Sequence, residues 1–155
     1  VTDASAVGGT TSGGGAQWAA GTTSGETDSL LRHSLEFRVA YQETDGQRRV
    51  HHANYLNYFE RGRVEMLRSI GHDYKAIEDS GRMLVVTEMN VRYHAPADFD
   101  DLLTVTTEVL DVRKVRMRHR YMIHRGDTLL VEAVSVIACL DVNGKPARLP
   151  DLSPT

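Results

Sequence analysis

The sequence predicts an α+β domain of 155 residues, an antiparallel five-stranded sheet with one long helix covering one of its faces. Three observations carry this expectation. A single stretch, beginning near His51 or His52 and reaching Ile70, repeats its apolar residues at helical spacing. One strand-like run precedes it and four follow in succession. The later runs are joined by short polar turns, and strands joined so closely must pair antiparallel.

Taken in order, residues 1–29 are rich in Gly, Ser, Thr and Ala and hold no Lys or Arg, the composition of a flexible tail. A signal peptide would need a basic start and an apolar centre, and neither is present. Trp18 is read as a solvated residue of that tail, and residues 30–155 as one domain. Leu35, Phe37, Val39 and Tyr41 alternate with Glu36, Arg38 and Ala40, a half-buried strand with Tyr41 on its apolar face. Thr44-Asp45-Gly46 then supplies a polar turn. Tyr55, Leu56 and Phe59, followed by Met66, Leu67 and Ile70, give the long helix its buried stripe. Gly71 is its expected stop. Gly62 lies inside the helix at a cost of about 1 kcal/mol relative to Ala, so it marks close backbone packing.

Asp73 to Ser80 offers one or two further helical turns, closed by Gly81. Met83–His94 is a strand ended by Pro96. Leu102–Val112, Val115–Arg125 and Thr128–Leu140 complete the sheet, with Gly126-Asp127 and Asn143-Gly144 as turn residues.

All 18 Lys and Arg lie after residue 30; of the 21 acids, Asp3, Glu26 and Asp28 precede it, which leaves 18 to balance them. A formally neutral domain argues against nucleic acid or an anionic membrane as partner. The single Cys139 excludes an intrachain disulfide and a cysteine-cluster zinc site, and its apolar surroundings read as a buried thiol. No apolar run approaches the ~20 residues needed to span a bilayer. A cytoplasmic location is the expectation, with no cofactor and no metal.

The chemistry lies around the start of the long helix. First-turn amides have no partners inside a helix and carry partial positive charge. A carboxylate a few residues upstream and a carbonyl held at those amides would make a hydrolytic site. Asp45 fits, either as ordinary turn chemistry or as the group that attacks an acyl centre or deprotonates water. His52 would contribute its amide, and its imidazole could orient water or cap the helix. His51 is the weaker neighbour. Adjacent histidines early in a helix point apart, so a metal site with Asp45 is not expected. Glu60 and Arg63 are about one helical turn apart and are read as a structural pair, with Glu60 the reserve carboxylate. Arg116, Arg118 and Arg120 alternate with Met117, His119 and Tyr121, which puts three arginines on one face, either solvated or meeting phosphates.

Tyr41-x-x-Thr-Asp45, continued by Val50-His-His52-Ala-Asn-Tyr55-Leu-x-x-Phe59-Glu60-x-x-Arg63, resembles the 4-hydroxybenzoyl-CoA thioesterase family of hotdog-fold acyl-CoA thioesterases. Val91-x-Tyr93-x-x-Pro96-Ala-x-x-Asp100-Asp-Leu102 and the late Asp141-x-x-Gly144-Lys-Pro146 are similar too, so the likeness spans nearly all of residues 34–150. It implies a sheet wrapped around the central helix, a homodimer or homotetramer, and metal-free hydrolysis of acyl-CoA. In such enzymes the residue at Asp45 is nucleophile or general base, and the amide at His52, in the first helical turn, polarises the thioester carbonyl. Tyr41 would position Asp45 or the acyl group. Arg48, Arg49, Arg116 and Arg118 would meet CoA, with His51 and Tyr55 beside the substrate. A module that binds acyl-CoA without turnover, or action on acyl-carrier-protein thioesters, are the alternatives. There is one departure. The family usually carries Gly where this chain has Arg48, so the turn is expected to differ, with Gly46 compensating.

Overall fold

The first alternating run becomes strand β1 (Leu31–Arg38) in the computed structural model, which describes residues 31–155. The expected tail and Trp18 lie outside the described residues. Phe37 and Val39 turn inward, but the alternation does not carry on to Tyr41. The chain bends at Ala40 into a 3-10 turn, Tyr41–Glu43, closed by Glu43 N–H to Ala40 O and by Ala40 N–H to Glu43 Oε2. Tyr41 is therefore not on a strand's apolar face. It is 77% exposed, and its ring meets the edge of Phe99, 5.5 Å between ring centroids.

Helix α1 (Asn54–Ser69) starts two to three residues later than the sequence suggested. Its N-cap, Ala53, has no side chain able to cap, so no residue type marks the boundary. The far end is marked clearly. Gly71 takes a φ of +88°, its N–H donates to Arg68 O at 3.1 Å, and His72 N–H donates to Leu67 O at 3.0 Å. That double bond is the Schellman arrangement, which satisfies carbonyls the helix would otherwise leave open. Helix α2 (Tyr74–Asp79) follows, capped by Asp73 Oδ1 on Lys75 N–H.

Strands β2 (Met83–Tyr93), β3 (Leu102–Val112), β4 (Arg116–Arg125) and β5 (Thr128–Leu140) follow, and the sheet order is β1-β3-β4-β5-β2. Every pairing is antiparallel. Gly126, with φ +55°, occupies the first central position of the two-residue β4–β5 turn, as a II′ hairpin requires.

One face of the sheet is covered by α1. Tyr55, Tyr58, Phe59, Arg63, Met66 and Leu67 are buried on the helix, and Phe59 packs against Tyr121 of β4 with centroids 4.9 Å apart. Leu103, Val105, Ile123, Leu130 and Val131 complete that core; burying each such side chain contributes roughly 1.5–3 kcal/mol. Gly62 is the close approach that the sequence implied: a Cβ there would come within 2.6 Å of Thr107 Oγ1 on β3. Arg63 does not pair with Glu60. It turns inward at 4% exposure and donates to Tyr121 Oη, which in turn bonds Ser135 Oγ. Cys139 is the expected buried thiol, and burial pushes its pKa up.

Candidate active site

The turn bearing Asp45 is built as a short hairpin. Thr44 and Val50 pair across it, Asp45 N–H donates to Arg49 O at 2.9 Å, and Arg48 N–H donates to Asp45 O at 2.9 Å. Such a loop is a type I turn closed by one residue in the left-handed region. Here that residue is Arg48, with φ +62°. The turn thus closes regularly with an arginine, not a glycine, at its left-handed position. Arginine adopts the conformation for which glycine is suited, at a cost of about 1–2 kcal/mol. Gly46 takes no positive φ, so it does not compensate.

Asp45 is half-buried, and one of its oxygens accepts Gln47 N–H at 2.8 Å. This is the local turn chemistry of an aspartate, and it uses one oxygen only. The loop is tied to the chain after β2 by Val50 N–H to Ala97 O at 2.9 Å. It is tied to α1 through Glu43, whose carbonyl accepts His51 N–H at 2.9 Å and Asn54 Nδ2 at 2.7 Å. The Glu43 carboxylate accepts Tyr58 Oη at 2.7 Å, and the combination of burial and that carboxylate pushes the phenol's pKa well above its usual value.

His52 lies just before α1 rather than in its first turn. The run His51–Asn54 is nonetheless tied at nearly every backbone group. His51 N–H goes to Glu43 O, Asn54 N–H to His51 O, and Ala53 N–H to His51 Nδ1. His52 O accepts Tyr93 Oη at 3.0 Å. Among the described residues, His52 is the one member of this run whose N–H meets no acceptor.

A cleft of about 390 Å³ brings together Asp45, Arg49, His52 and Tyr55 with Tyr93 and His94. Tyr55 is buried and forms its wall, with its ring edge-on to Tyr93 at 5.5 Å. Other expected residues fall elsewhere. Arg48 and Tyr41 are exposed and do not line the cleft. The rings of His51 and His52 do not point apart, because neither is yet helical; their centroids are 4.2 Å apart. His51 spends its Nδ1 on Ala53, and among the described residues no three metal-binding side chains converge. Arg116, Arg118 and Arg120 occupy the sheet face opposite α1. Arg118 pairs there with Asp111 and Arg120 with Glu108, each at 3.7 Å. The cation face is thus largely matched by its own neighbours. Tyr93 and His94 were not singled out from the sequence. Tyr93 does stand within the Val91-x-Tyr93 motif, which was the available signal.

Comparison with known proteins covers the same region. A sequence model of the thioesterase superfamily matches residues 47–132. The acyl-CoA thioester hydrolase YbgC of Escherichia coli O6:H1 is 36% identical over 115 residues, 73% of this chain and 86% of that protein. The crystal structure of a probable thioesterase from Bartonella henselae superposes with a TM-score of 0.74 at 36% identity, over 77% of this chain and 99% of the other. A DHNA-CoA thioesterase from Staphylococcus aureus gives a TM-score of 0.74 at 26% identity, over 77% of this chain and 82% of the other. Sequence and backbone agree on a five-stranded hotdog architecture, and this chain belongs to the thioesterase superfamily.

Proposed function

We propose that this protein hydrolyses acyl-CoA thioesters, with Asp45 as nucleophile or general base and the His52 N–H as oxyanion donor. The observation that carries the reading is that Asp45 and His52, a carboxylate and a residue whose N–H meets no acceptor, line one cleft while their neighbours are tied down. An oxygen, from Asp45 or from a water that Asp45 deprotonates, adds to the thioester carbonyl carbon. The displaced electron pair moves to the carbonyl oxygen, where the His52 N–H meets the charge. Collapse re-forms the C=O and breaks the C–S bond. CoA departs as a thiolate, a leaving group that needs little acid help, and takes up a proton from solvent. On the nucleophilic route, water then hydrolyses the acyl-aspartyl anhydride. Both routes end in free acid and CoA thiol.

Arg49, at the cleft wall, supplies the cation suited to a CoA phosphate; Arg116 and Arg118, on the opposite sheet face, do not adjoin it. The decisive assay is hydrolysis of a panel of aliphatic and aromatic acyl-CoAs beside equilibrium binding of the same compounds. Turnover of at least one is expected. Tight binding without turnover of any would make the protein an acyl-CoA-binding module instead.

Assembly belongs to the same proposal. Strand β2 is an 11-residue sheet edge with Met83, Val86 and Tyr93 exposed, and an open edge of this kind favours pairing with another chain. Light scattering should give the mass of a dimer or tetramer; a one-chain mass at micromolar concentration would refute it.

A further inference from the structure

Among the described residues, Tyr93 is the one sheet residue whose side chain bonds to the His51–Asn54 segment. It stands at the end of β2, 41 residues from His52 in sequence, and its hydroxyl donates to His52 O at 3.0 Å. Its ring rests edge-on against Tyr55, and the residue is 50% exposed. Burial of part of the phenol raises its pKa above the usual tyrosine value, so the donor keeps its proton throughout the working pH range. The other ties on the segment come from the Asp45 side of the cleft, through the Glu43 carbonyl, or from within the segment itself.

The peptide unit carrying the His52 N–H lies between these attachments. On one side, His51 N–H is held by Glu43 O at 2.9 Å; on the other, His52 O is held by Tyr93. The unit's own carbonyl, His51 O, accepts Asn54 N–H at 2.9 Å. The Tyr93 bond fixes the next peptide unit and, through it, the position of the His52 Cα, so its loss lets φ of His52 relax and the N–H drift from its aim. A donor contributes to oxyanion stabilisation only within a few tenths of an ångström of the right place.

We propose that Tyr93 is a positioning residue for thioester hydrolysis: its hydroxyl, by holding the His52 carbonyl, aims the His52 N–H at the carbonyl oxygen of the substrate. The inference rests on the reading of Asp45 and His52 given above and adds to it the group that orients the donor. The phenol acts through the backbone, so its loss lowers the rate of the chemical step and leaves substrate affinity alone. A purely structural role would lower stability and not rate, and a substrate contact would raise KM.

The test is Tyr93→Phe, which removes one oxygen and keeps the ring on Tyr55, measured beside Asp45→Asn by steady-state and single-turnover hydrolysis. A roughly tenfold fall in kcat with KM within about twofold is expected, since a small misplacement of a catalytic donor costs this order of rate. Amide hydrogen exchange across residues 51–54 should accelerate in the same variant while the thermal midpoint stays put. Unchanged kcat, or a raised KM at unchanged kcat, with Asp45→Asn inactive overturns the role of Tyr93 alone. Near-normal turnover by Asp45→Asn overturns the reading on which it rests, and this inference with it.

Discussion

The two ends of helix α1 are built to opposite plans. At the C-terminal end the open carbonyls are taken up: Gly71 and His72 bond back to Arg68 and Leu67, and Thr155 N–H reaches Ile70 O at 3.2 Å. At the N-terminal end the N-cap Ala53 supplies no side-chain cap, the His52 N–H meets no acceptor among the described residues, and the adjoining hairpin holds Arg48 in a left-handed conformation. Both ends belong to one 16-residue helix, so the difference is not one of helix propensity. The free donor and the local strain lie at the end that the proposed reaction uses, and the opposite end is closed by its own backbone bonds. Unsatisfied groups thus point to the working end of an element.

The contrast gives variants that should separate rate from stability. Asp45→Asn keeps size and the bond from Gln47 but removes the charge, so single-turnover hydrolysis should fall by ~10²–10⁴ with the melting temperature unchanged. Glu60→Gln, on the exposed face of the same helix, should be mild by comparison; the reverse ranking would move the catalyst onto α1.

Between the ends lies a group that ties stability to pH. His119 is fully buried beneath α1, stacked on Tyr121, with neither ring nitrogen bonded. Burial, reinforced by the charge of the neighbouring Arg63, pushes its pKa down to about 3. The folded state therefore stays neutral while the unfolded state takes up a proton below about pH 6.5. Stability present above that pH should be lost as pH falls toward 3, by up to about 1.4 kcal/mol per pH unit from this group. His119→Gln should flatten that part of a urea-midpoint profile against pH; an unaltered slope would show that other groups set it.

Smaller effects are expected from two of the left-handed residues, Gly71 and Arg48. Gly71→Ala places a Cβ at positive φ and against Thr155 Oγ1, and chemical denaturation should show a loss of about 1–2 kcal/mol with kcat retained. Arg48→Gly relieves strain but frees the unfolded chain, for a net gain of about 0.5–1 kcal/mol. A stability loss at either the Arg48 or the Asp45 substitution would mean that the open end is not the strained end.

How far the sequence disclosed this arrangement differs from residue to residue. Gly71, Gly62 and the Arg116–Tyr121 alternation were readable because each is a local rule of backbone conformation or period. Tyr41 was misplaced because alternation has no mark for the bend at Ala40, where the chain leaves the sheet. The start of α1 was set too early because Ala53 carries no capping signal and the two histidines gave none against it. Arg63 was paired with Glu60 by helical spacing, yet its partner, Tyr121, is 58 residues away in the chain. Tyr93 was hidden for the same reason: its partner is a carbonyl, which no residue type announces.

The close approach at Gly62 sets how the gene can tolerate length changes. Only a residue without a Cβ fits opposite Thr107, so this position acts as a key in a slot and fixes the helix against sliding or turning on the sheet. One residue inserted or deleted between Asn54 and Gly62 would displace everything before the key by about 1.5 Å and rotate it by about 100°. The His52 segment would then part from both Glu43 and Tyr93. A length change between Gly62 and Ser69 falls on the other side of the key, where it disturbs the sealed end and leaves the cleft in register.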